Sequence, residues 1–303
     1  MFRFDVEEKM KKIFFIVTVI ICSCTNTLLA QNAVFNWANG FGSTDSDIGR
    51  FIASDDSGNI YAIGTFAGTV DFDPDTGVYN LTTMGGTYGF VCKFSSSGSV
   101  VWAKSMDFYG NSVTVDKSGN VLVTGAFYGT IDFNPGAGTF NMTAMGAEDA
   151  FILKLDYAGN FLWAKQFGYS GNAASMVICT DGENNIYTSG NFDNIVDLNP
   201  GISSNLFYSL SGADMYLSKL DSSGSFVWAK QIGGNGTQES KSITIDDSAN
   251  IYLTGNFYDN VDFDPDTGTC ILDNSMGTDA FVAKFDSSSH LVWAKKFWEL
   301  YKS

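Results

Sequence analysis

Acidic residues at alternate positions of one short segment are the first candidates for chemistry in this sequence. The segment occurs twice in full as DFDPDTG, with carboxylates at Asp71, Asp73 and Asp75 and again at Asp262, Asp264 and Asp266. Three carboxylates with this spacing, followed by a glycine, superficially match the oxygen-rich loops that bind calcium. These six residues therefore form a candidate calcium site.

The same segment is also explained as a turn without a metal. Two further copies, beginning at Asp132 and Asp197, carry Asn134 and Asn199 in place of the second carboxylate. No glutamate lies where it would close an EF-hand loop. Aspartate near proline is typical of a turn whose shape the proline fixes. The turn is the alternative to calcium, and the sequence indicates no other cofactor.

Catalytic residues find little support. His290 is the only histidine and lies in a predicted hairpin turn, where a Ser/His/Asp centre would not be held in place. Phosphate-binding glycine loops and dinucleotide motifs are missing from the sequence. Carboxylate pairs are abundant, so acid/base chemistry on glycans stays open as an alternative. The near-identity of the repeated segments argues against it, because an active site normally breaks the symmetry in one copy.

Lysine pairs recur with a spacing of eleven residues on neighbouring predicted strands. We expect their stems to lie along tryptophan faces while the ammonium groups reach water or a nearby aspartate at position 149, 214 or 279. The alternative is a ring of cationic contacts for a ligand. The pairs are Lys93/Lys104, Lys154/Lys165, Lys219/Lys230 and Lys284/Lys295.

The elements that must position these residues belong to one repeated unit. All four prolines occupy the same place in it, at steps of 61, 65 and 65 residues, and one glycine and one tryptophan recur at the same steps. The units cover about residues 38–102, 103–163, 164–228 and 229–293, within a repeat domain at 31–303. The recurring positions are Pro74, Pro135, Pro200 and Pro265; Gly64, Gly125, Gly190 and Gly255; and Trp102, Trp163, Trp228 and Trp293.

Each unit predicts about four strands in two hairpins, since runs such as NIYLTGNF and FVAKF are rich in β-branched and aromatic residues and end in Asp/Ser/Gly/Asn turns. Apolar residues fall on both faces of these strands, as in a sheet covered on both sides. We therefore predict an all-β, propeller-like array of four four-stranded blades, with a β-solenoid as the alternative. The recurring tryptophans should be largely buried, and the recurring glycines should lie where strand backbones approach closely.

The segments DxSGNIYxTGxF, DFDP, DAFVAKFDSSG and VWAK resemble the bacterial β-propeller repeat family called SBBP, over about residues 34–297. The resemblance implies a secreted or cell-surface protein without an assigned activity. A tryptophan strand at 35–39 begins before the first unit, and the segment VWAKKF at 292–297 extends beyond the end of the last unit. Two interpretations stay open, a closed ring of four blades and an incomplete ring.

The first thirty residues are typical of a secretory signal. Lys11 and Lys12 precede an apolar run of about ten residues, too short to span a bilayer, and Leu28-Leu29-Ala30 follows. We expect cleavage after Ala30 and a secreted or cell-surface protein without a transmembrane helix in the mature chain. The alternative is a lipoprotein, with lipid carried on Cys24.

Charge narrows the class of partner. The net charge is −16, and removal of residues 1–30 takes away four basic and three acidic side chains, which leaves −17. A surface this acidic repels nucleic acid and anionic lipid. The sequence predicts a non-enzymatic extracellular scaffold or binding module that presents loops to a protein or polysaccharide partner. The alternative is an extracellular, carboxylate-dependent glycan hydrolase or lyase.

Overall fold

A computed structural model describes residues 35–274 and 277–297. The predicted signal segment, with Cys24 and the cleavage position, lies outside these residues. All the strands of the described residues lie between Ile48 and Phe297. In the part of the chain that the structure describes, no helix is long and apolar enough to span a bilayer.

Of the twenty-two strands in the described residues, sixteen build four antiparallel four-stranded units, which we call blades 1 to 4. Blade 1 contains β1 (Ile48–Ser54), β2 (Ile60–Asp71), β3 (Asn80–Phe94) and β4 (Val100–Met106). Blade 2 contains β5 (Tyr109–Val115), β6 (Val121–Phe127), β9 (Asp149–Leu155) and β10 (Phe161–Tyr169). Blade 3 contains β11 (Ala173–Thr180), β12 (Ile186–Phe192), β15 (Asp214–Leu220) and β16 (Phe226–Gly234). Blade 4 contains β17 (Gln238–Ile245), β18 (Ile251–Phe257), β21 (Asp279–Phe285) and β22 (Leu291–Phe297).

A third, short hairpin surrounds each Asp-Pro segment and was not predicted. It consists of β7 (Thr130–Asp132) with β8 (Asn141–Thr143), β13 (Ile195–Asp197) with β14 (Leu206–Tyr208), and β19 (Val261–Asp262) with β20 (Ile271–Leu272). In blade 1 the long strands β2 and β3 continue into it. β13 and β19 pair with β10 and β16 of the preceding blade. The short hairpins of blades 3 and 4 therefore tie these blades to the preceding ones.

The recurring glycines face a β-bulge in the innermost strand of each blade. Gly190 pairs with Ser175, and the register shifts between Ser175 and Val177. The bulge brings the carbonyl oxygen of Ala174 over the glycine, so that a Cβ on Gly190 would lie 1.9 Å from it. Blades 1, 2 and 4 repeat the arrangement, with corresponding distances of 2.0, 2.4 and 1.9 Å at Gly64, Gly125 and Gly255. The predicted close approach is confirmed.

Three of the four hydrophobic cores lie between blades, and the fourth packs Phe41 against blade 1. Tyr61, Val91 and Trp102 of blade 1 pack in one cluster with residues of blade 2 such as Val113 and Leu153. A second cluster joins blades 2 and 3, and a third joins blades 3 and 4. Blades 1, 2 and 3 each contribute to two cores, and their strands therefore carry apolar side chains on both faces. This confirms the sequence interpretation of sheets covered on both sides.

The tryptophans are less uniformly buried than predicted. Trp102 is buried, and its Nε1 donates to the Tyr157 carbonyl of the next blade at 3.1 Å. Trp163 and its two later equivalents are only half-buried. The Trp163 ring lies at the interface with blade 3, where Gly224 makes room for it: a Cβ on Gly224 would lie 3.1 Å from the ring.

The blades follow one another in chain order without closing a ring. The innermost strands pack as β1 on β5, β5 on β11 and β11 on β17, and no comparable packing joins β17 to β1. Among the described residues no strand of blade 1 pairs with a strand of blade 4. The fold is all-β and propeller-like, as predicted, with the ring open.

Candidate functional site

The turns that join the two innermost strands of each blade meet around one cavity. We call residues 55–59, 116–120, 181–185 and 246–250 the inner turns. Together with the adjoining strand ends they line a space of about 740 Å³. Seven carboxylates and two lysines contribute to its wall: Asp55, Asp56, Asp116, Asp181, Glu183, Asp246 and Asp247, with Lys117 and Lys219.

The first aspartate of each inner turn builds the turn itself. In blade 2, Oδ1 of Asp116 accepts from the backbone N–H of Ser118 and of Asn120, both at 2.9 Å. Oδ2 accepts from Nδ2 of Asn120 at 2.9 Å. Gly119 adopts a positive φ and donates its N–H to the Asp116 carbonyl. The same bonds recur around Asp55, Asp181 and Asp246.

These hydrogen bonds keep the turn aspartates ionised. Burial acts to raise the pKa of Asp116, but hydrogen bonds from Lys154 and Asn120 outweigh it and lower the pKa. The pKa values of Asp55 and Asp181 are lowered in the same way, against burial, by their turn partners. For Asp246 the hydrogen bond from the Asn250 side chain is the main cause of a lowered pKa. The cavity therefore carries permanent negative charge at neutral pH.

The first lysine of three of the four pairs reaches an inner turn and not the predicted aspartate. Nζ of Lys154 lies 2.9 Å from Oδ2 of Asp116, and both side chains are almost fully buried. Lys219 and Lys284 approach the equivalent aspartates of blades 3 and 4 at 3.8 and 4.0 Å. The prediction of partners at 149, 214 and 279 was wrong. Asp149, for example, accepts from Met145 N at 2.8 Å and from Gln166.

The first lysine of each of the four pairs lies over an aromatic ring. Lys93, Lys219 and Lys284 lie 4.8 to 5.0 Å from the ring centroids of tyrosines on the neighbouring strand, and Lys154 lies 5.9 Å from the Trp163 ring. The ammonium groups thus support the turns from within the blade. The expected tryptophan contact holds for Lys154, while the other three use tyrosine.

The second and third positions of the inner turns face the cavity opening and are exposed. Asp56, Glu183 and Asp247 place carboxylates there, and Lys117 forms an exposed ion pair with Asp56 at 3.6 Å. Lys117 and Asn184 also connect blades 2 and 3, since Lys117 N donates to Asn184 Oδ1 at 2.8 Å. An excess of exposed carboxylates in a concave site attracts positively charged groups.

The six candidate calcium ligands lie in the short hairpins and do not line this cavity. Oδ1 of Asp71 accepts from the backbone N–H of Asp73 at 3.0 Å and of Tyr79 at 2.7 Å, and these bonds lower its pKa. Oδ1 of Asp73 accepts from Asp75 N at 2.9 Å. The same hydrogen bonds recur around Asp262, Asp264 and Asp266, with Cys270 N in place of Tyr79 N.

Asparagine performs the same turn function in the other two copies. Asn134 Oδ1 accepts from Gly136 N, and Asn199 Oδ1 accepts from Gly201 N, each at 2.9 Å. The turn therefore does not depend on charge at this position. Within residues 35–274 and 277–297, no three carboxylate, histidine or cysteine side chains are arranged to hold a metal ion. Calcium binding stays a prediction.

Sequence reasoning missed the inner-turn cavity. The available signal was the alignment of four equivalent Asp-containing turns, since turns at the same place in stacked blades lie at the same end of the array. What the alignment did not supply was the distance between blades. His290, the only histidine, lies in a surface turn, 3.3 Å from Asp286.

The fold and this site define a repeat protein built from propeller-type blades, which present equivalent turns around one cavity. Residues 227–256 match the family model SBBP, described as a beta-propeller repeat. This segment runs from β16 to β18 and includes the inner turn of blade 4. This match supports the resemblance to SBBP repeats that the sequence predicted.

Two other proteins resemble the chain. The uncharacterized WD repeat-containing protein L264 of Acanthamoeba polyphaga mimivirus is 26% identical over 237 residues, which cover 66% of this chain and 16% of that protein. The chain thus matches less than a fifth of the length of this relative. A protein of unknown function from Bacteroides caccae aligns with 8% identity and a TM-score of 0.35, over 83% of this chain and 82% of that one.

Proposed function

We propose that this protein is a non-enzymatic extracellular or cell-surface binding module, and that the inner-turn cavity binds a positively charged segment of a protein partner. The observation that carries the proposal is the meeting of four equivalent acidic turns around one space. The repeat scaffold supports it, because stacked blades hold loops from distant parts of the sequence in fixed positions. The signal-like first thirty residues support the extracellular setting.

Charge is the reason for choosing a basic partner. Seven carboxylates face two lysines in the cavity wall, and one of those lysines, Lys219, lies against Asp181. A lysine or arginine side chain entering the cavity would contact several carboxylates at once. The polypeptide of the partner would then shield these carboxylates from water. Binding of this kind weakens as ionic strength rises.

A glycan hydrolase would need a different pair of carboxyl groups. The general acid of such enzymes has a raised pKa, whereas the four turn aspartates of the cavity have lowered pKa values. Glu183 is the one acidic residue at a turn position where the other copies carry serine. We propose that Glu183 contributes charge to binding and does not act as a catalytic acid.

The test measures binding of a fluorescent oligolysine peptide by anisotropy in calcium-free buffer. Replacing Asp56, Glu183 and Asp247 by Asn, Gln and Asn removes three exposed cavity charges without touching the aspartates that build the turns. We expect binding to weaken at least about tenfold. The matched control replaces three exposed aspartates outside the cavity, Asp45, Asp75 and Asp107, by Asn.

Equal weakening by the two triple variants would mean that the peptide responds to net charge alone, and would overturn the proposed site. A negligible affinity of the unchanged protein would do the same. Release of reducing sugar from a panel of polysaccharides, lost on Glu183→Gln, would replace the binding proposal by the hydrolase alternative.

A further inference from the structure

A second cavity lies where the outermost strand of blade 2 meets the short hairpin of blade 3. It measures about 430 Å³, within the range of about 300 to 1,000 Å³ that is usual for ligand pockets. We call it the junction groove. It shares no residue with the inner-turn cavity, so that either site can be occupied without the other. Its wall includes Phe140, Met145, Lys165, Asp197, Asn199 and Gly201.

Lys165 of β10 lines the junction groove and makes no ion pair with any other residue of the described ranges. The equivalent lysine in the next junction, Lys230 of β16, pairs with Asp266 in the Asp-Pro turn of blade 4. Blade 3 carries Gly201 at the position of Asp266, and this glycine lines the groove. The lysine is thus repeated in the junction between blades 2 and 3, whereas its carboxylate partner is not.

The junction between blades 1 and 2 also has a glycine at this position, Gly136, but its lysine has a different neighbour. That lysine is Lys104, the equivalent of Lys165. Burial acts to raise the pKa of Asp156 in blade 2, while hydrogen bonds of its own turn and the nearby charge of Lys104 lower it. Asp221 is the counterpart of Asp156 in blade 3, and it accepts hydrogen bonds from serines of its own turn without forming an ion pair with Lys165. The ammonium group of Lys165 is therefore available to a carboxylate from outside the chain.

Asn199 supplies a second hydrogen-bond donor in the wall of the groove. Its Oδ1 accepts from the backbone N–H of Gly201 at 2.9 Å, so that Nδ2 is the end of the amide left to donate. Nδ2 donates to no residue in the part of the chain that the structure describes. An ammonium group and an amide N–H in one concave wall suit a carboxylate, which only accepts hydrogen bonds.

The wall also contains the carboxylate of Asp197, and the next junction shows that such a neighbour is compatible with a second carboxylate. Oδ1 of Asp197 accepts from two backbone N–H groups of its turn, at 3.0 and 2.8 Å, and Asp262 makes the same two bonds in blade 4. Lys230 nevertheless binds Asp266 in that turn, which carries a further carboxylate, Asp264. Blade 3 has an asparagine at the position of Asp264, so that the junction groove carries less negative charge than a place where a carboxylate already binds.

Apolar side chains form another part of the wall. Phe140 is 38% exposed, and its ring centroid lies 4.9 Å from that of Phe161, which supports it from one side. Met145 is 58% exposed. A pyranose ring presents C–H groups on its faces, and these pack on aromatic rings while the hydroxyl groups stay in water. An exposed phenyl ring in the same groove as two donors favours a carboxylate-bearing sugar over an acidic peptide, whose carboxylates lie on flexible stems.

We propose that the junction groove binds a uronate, a sugar unit with one carboxylate, within an otherwise neutral glycan. The carboxylate takes on Lys165 the place that Asp266 has on Lys230, and Nδ2 of Asn199 is its second donor. The sugar ring lies on Phe140. A net charge of −16 repels a chain with a carboxylate on every unit, which is the reason for a single uronate.

The experiment titrates the full chain with three small probes and follows binding by saturation-transfer difference NMR. Methyl glucuronide and methyl glucoside differ only in the carboxylate, and the methylamide of N-acetylglutamate carries a carboxylate without a sugar ring. We expect millimolar binding of the glucuronide, at least about tenfold tighter than that of the glucoside, because a hydrogen bond to a charged group is lost with the carboxylate. The glutamate probe should bind more weakly than the glucuronide, because it cannot pack on Phe140.

Two variants remove the charge that the carboxylate recognises. Lys165→Met and Gly201→Asp should each weaken glucuronide binding at least about tenfold and leave glucoside binding unchanged, since the second variant supplies an internal carboxylate as in blade 4. A Cβ on Gly201 would lie 3.0 Å from Oδ1 of Asn199, a side chain that can shift. Lys104→Met and Gly136→Asp make the same changes in the junction between blades 1 and 2, and are the matched controls.

Circular dichroism should show the same strand content for all four variants, because every change lies outside the hydrophobic cores. Equal affinities for the glucuronide and the glucoside would overturn the proposal, since the carboxylate would then not be recognised. Equal affinities for the glucuronide and the glutamate probe would also overturn it, and would indicate an acidic peptide. So would a loss of binding in the Gly136→Asp control as large as that in Gly201→Asp, or the absence of saturable binding at millimolar glucuronide.

Discussion

Lys154→Met removes the positive partner of a buried carboxylate in blade 2. Nζ of Lys154 lies 2.9 Å from Oδ2 of Asp116, and the two side chains are 5% and 1% exposed. At an effective dielectric constant of about 20 the attraction between two unit charges at this distance is about 6 kcal/mol. Much of this is offset by desolvation, but removing one partner leaves the other buried, which costs about 3 to 5 kcal/mol.

We expect the lower end of that range for Lys154→Met. Asp116 retains three hydrogen bonds from the turn, two from backbone N–H groups and one from the Asn120 side chain. The substitution also removes the hydrogen bond that Nζ of Lys154 donates to the Ser222 carbonyl oxygen of blade 3, at 3.1 Å. The free energy of unfolding should fall by about 3 kcal/mol at pH 7, measured by urea denaturation with tryptophan fluorescence.

Lowering the pH should reduce the loss of unfolding free energy that Lys154→Met causes. The lowered pKa of Asp116 contributes stability above the ordinary aspartate range, which disappears as pH falls through the lowered value. Without Lys154, burial dominates and the carboxyl accepts a proton more readily, so that the variant approaches the unchanged protein at low pH. Lys219→Met is the matched control, with the longer separation of 3.8 Å from Asp181, and should cost about 1 kcal/mol. Equal losses for the two variants, or a difference that does not narrow in acid, would refute the reasoning.

Three further predictions concern the repeated positions. Gly190→Val should sharply lower soluble yield, because its Cβ would meet a backbone carbonyl at 1.9 Å, whereas Ser222→Val in an exposed turn should not; equal yields would contradict the close approach. Trp163→Ala should lower the free energy of unfolding by about 3 kcal/mol, the low end of the range for large core truncations, because the ring is half-buried. An unchanged denaturation midpoint would contradict the packing role of the ring. If the Asp-Pro segments hold calcium, millimolar calcium should raise the melting temperature more than magnesium at equal ionic strength, and Asp73→Ala with Asp264→Ala should abolish the difference. A rise that survives the double substitution would leave the segments as turns.

The blade architecture was predictable because the same pattern of residues occurs in four units. The prolines, the glycines and the tryptophans recur at the same steps of 61, 65 and 65 residues, which indicated one repeated unit, and turn residues separated its strands. The third hairpin was not predicted, because its strands are only two or three residues long in blades 2 to 4. Strands of this length are too short to show the period-two pattern of a sheet.

The lysine partners were predicted wrongly, although sequence alone contained the reason. Asp149 precedes Lys154 by five residues in β9, and an odd separation places two side chains on opposite faces of a strand. The true partner, Asp116, lies at the end of another strand two positions across the sheet. The inner-turn cavity was missed for a related reason, since contacts between blades depend on how sheets stack and not on local pattern.

The placement of three cores between neighbouring blades has a consequence for how such chains change in length. A blade brings half of the core before it and half of the core after it, so that inserting or deleting one whole unit replaces a junction with another of the same kind. Gain or loss of part of a unit would leave unmatched halves. We therefore expect natural variation in proteins of this design to proceed by whole repeats, with the spacing of the remaining prolines unchanged.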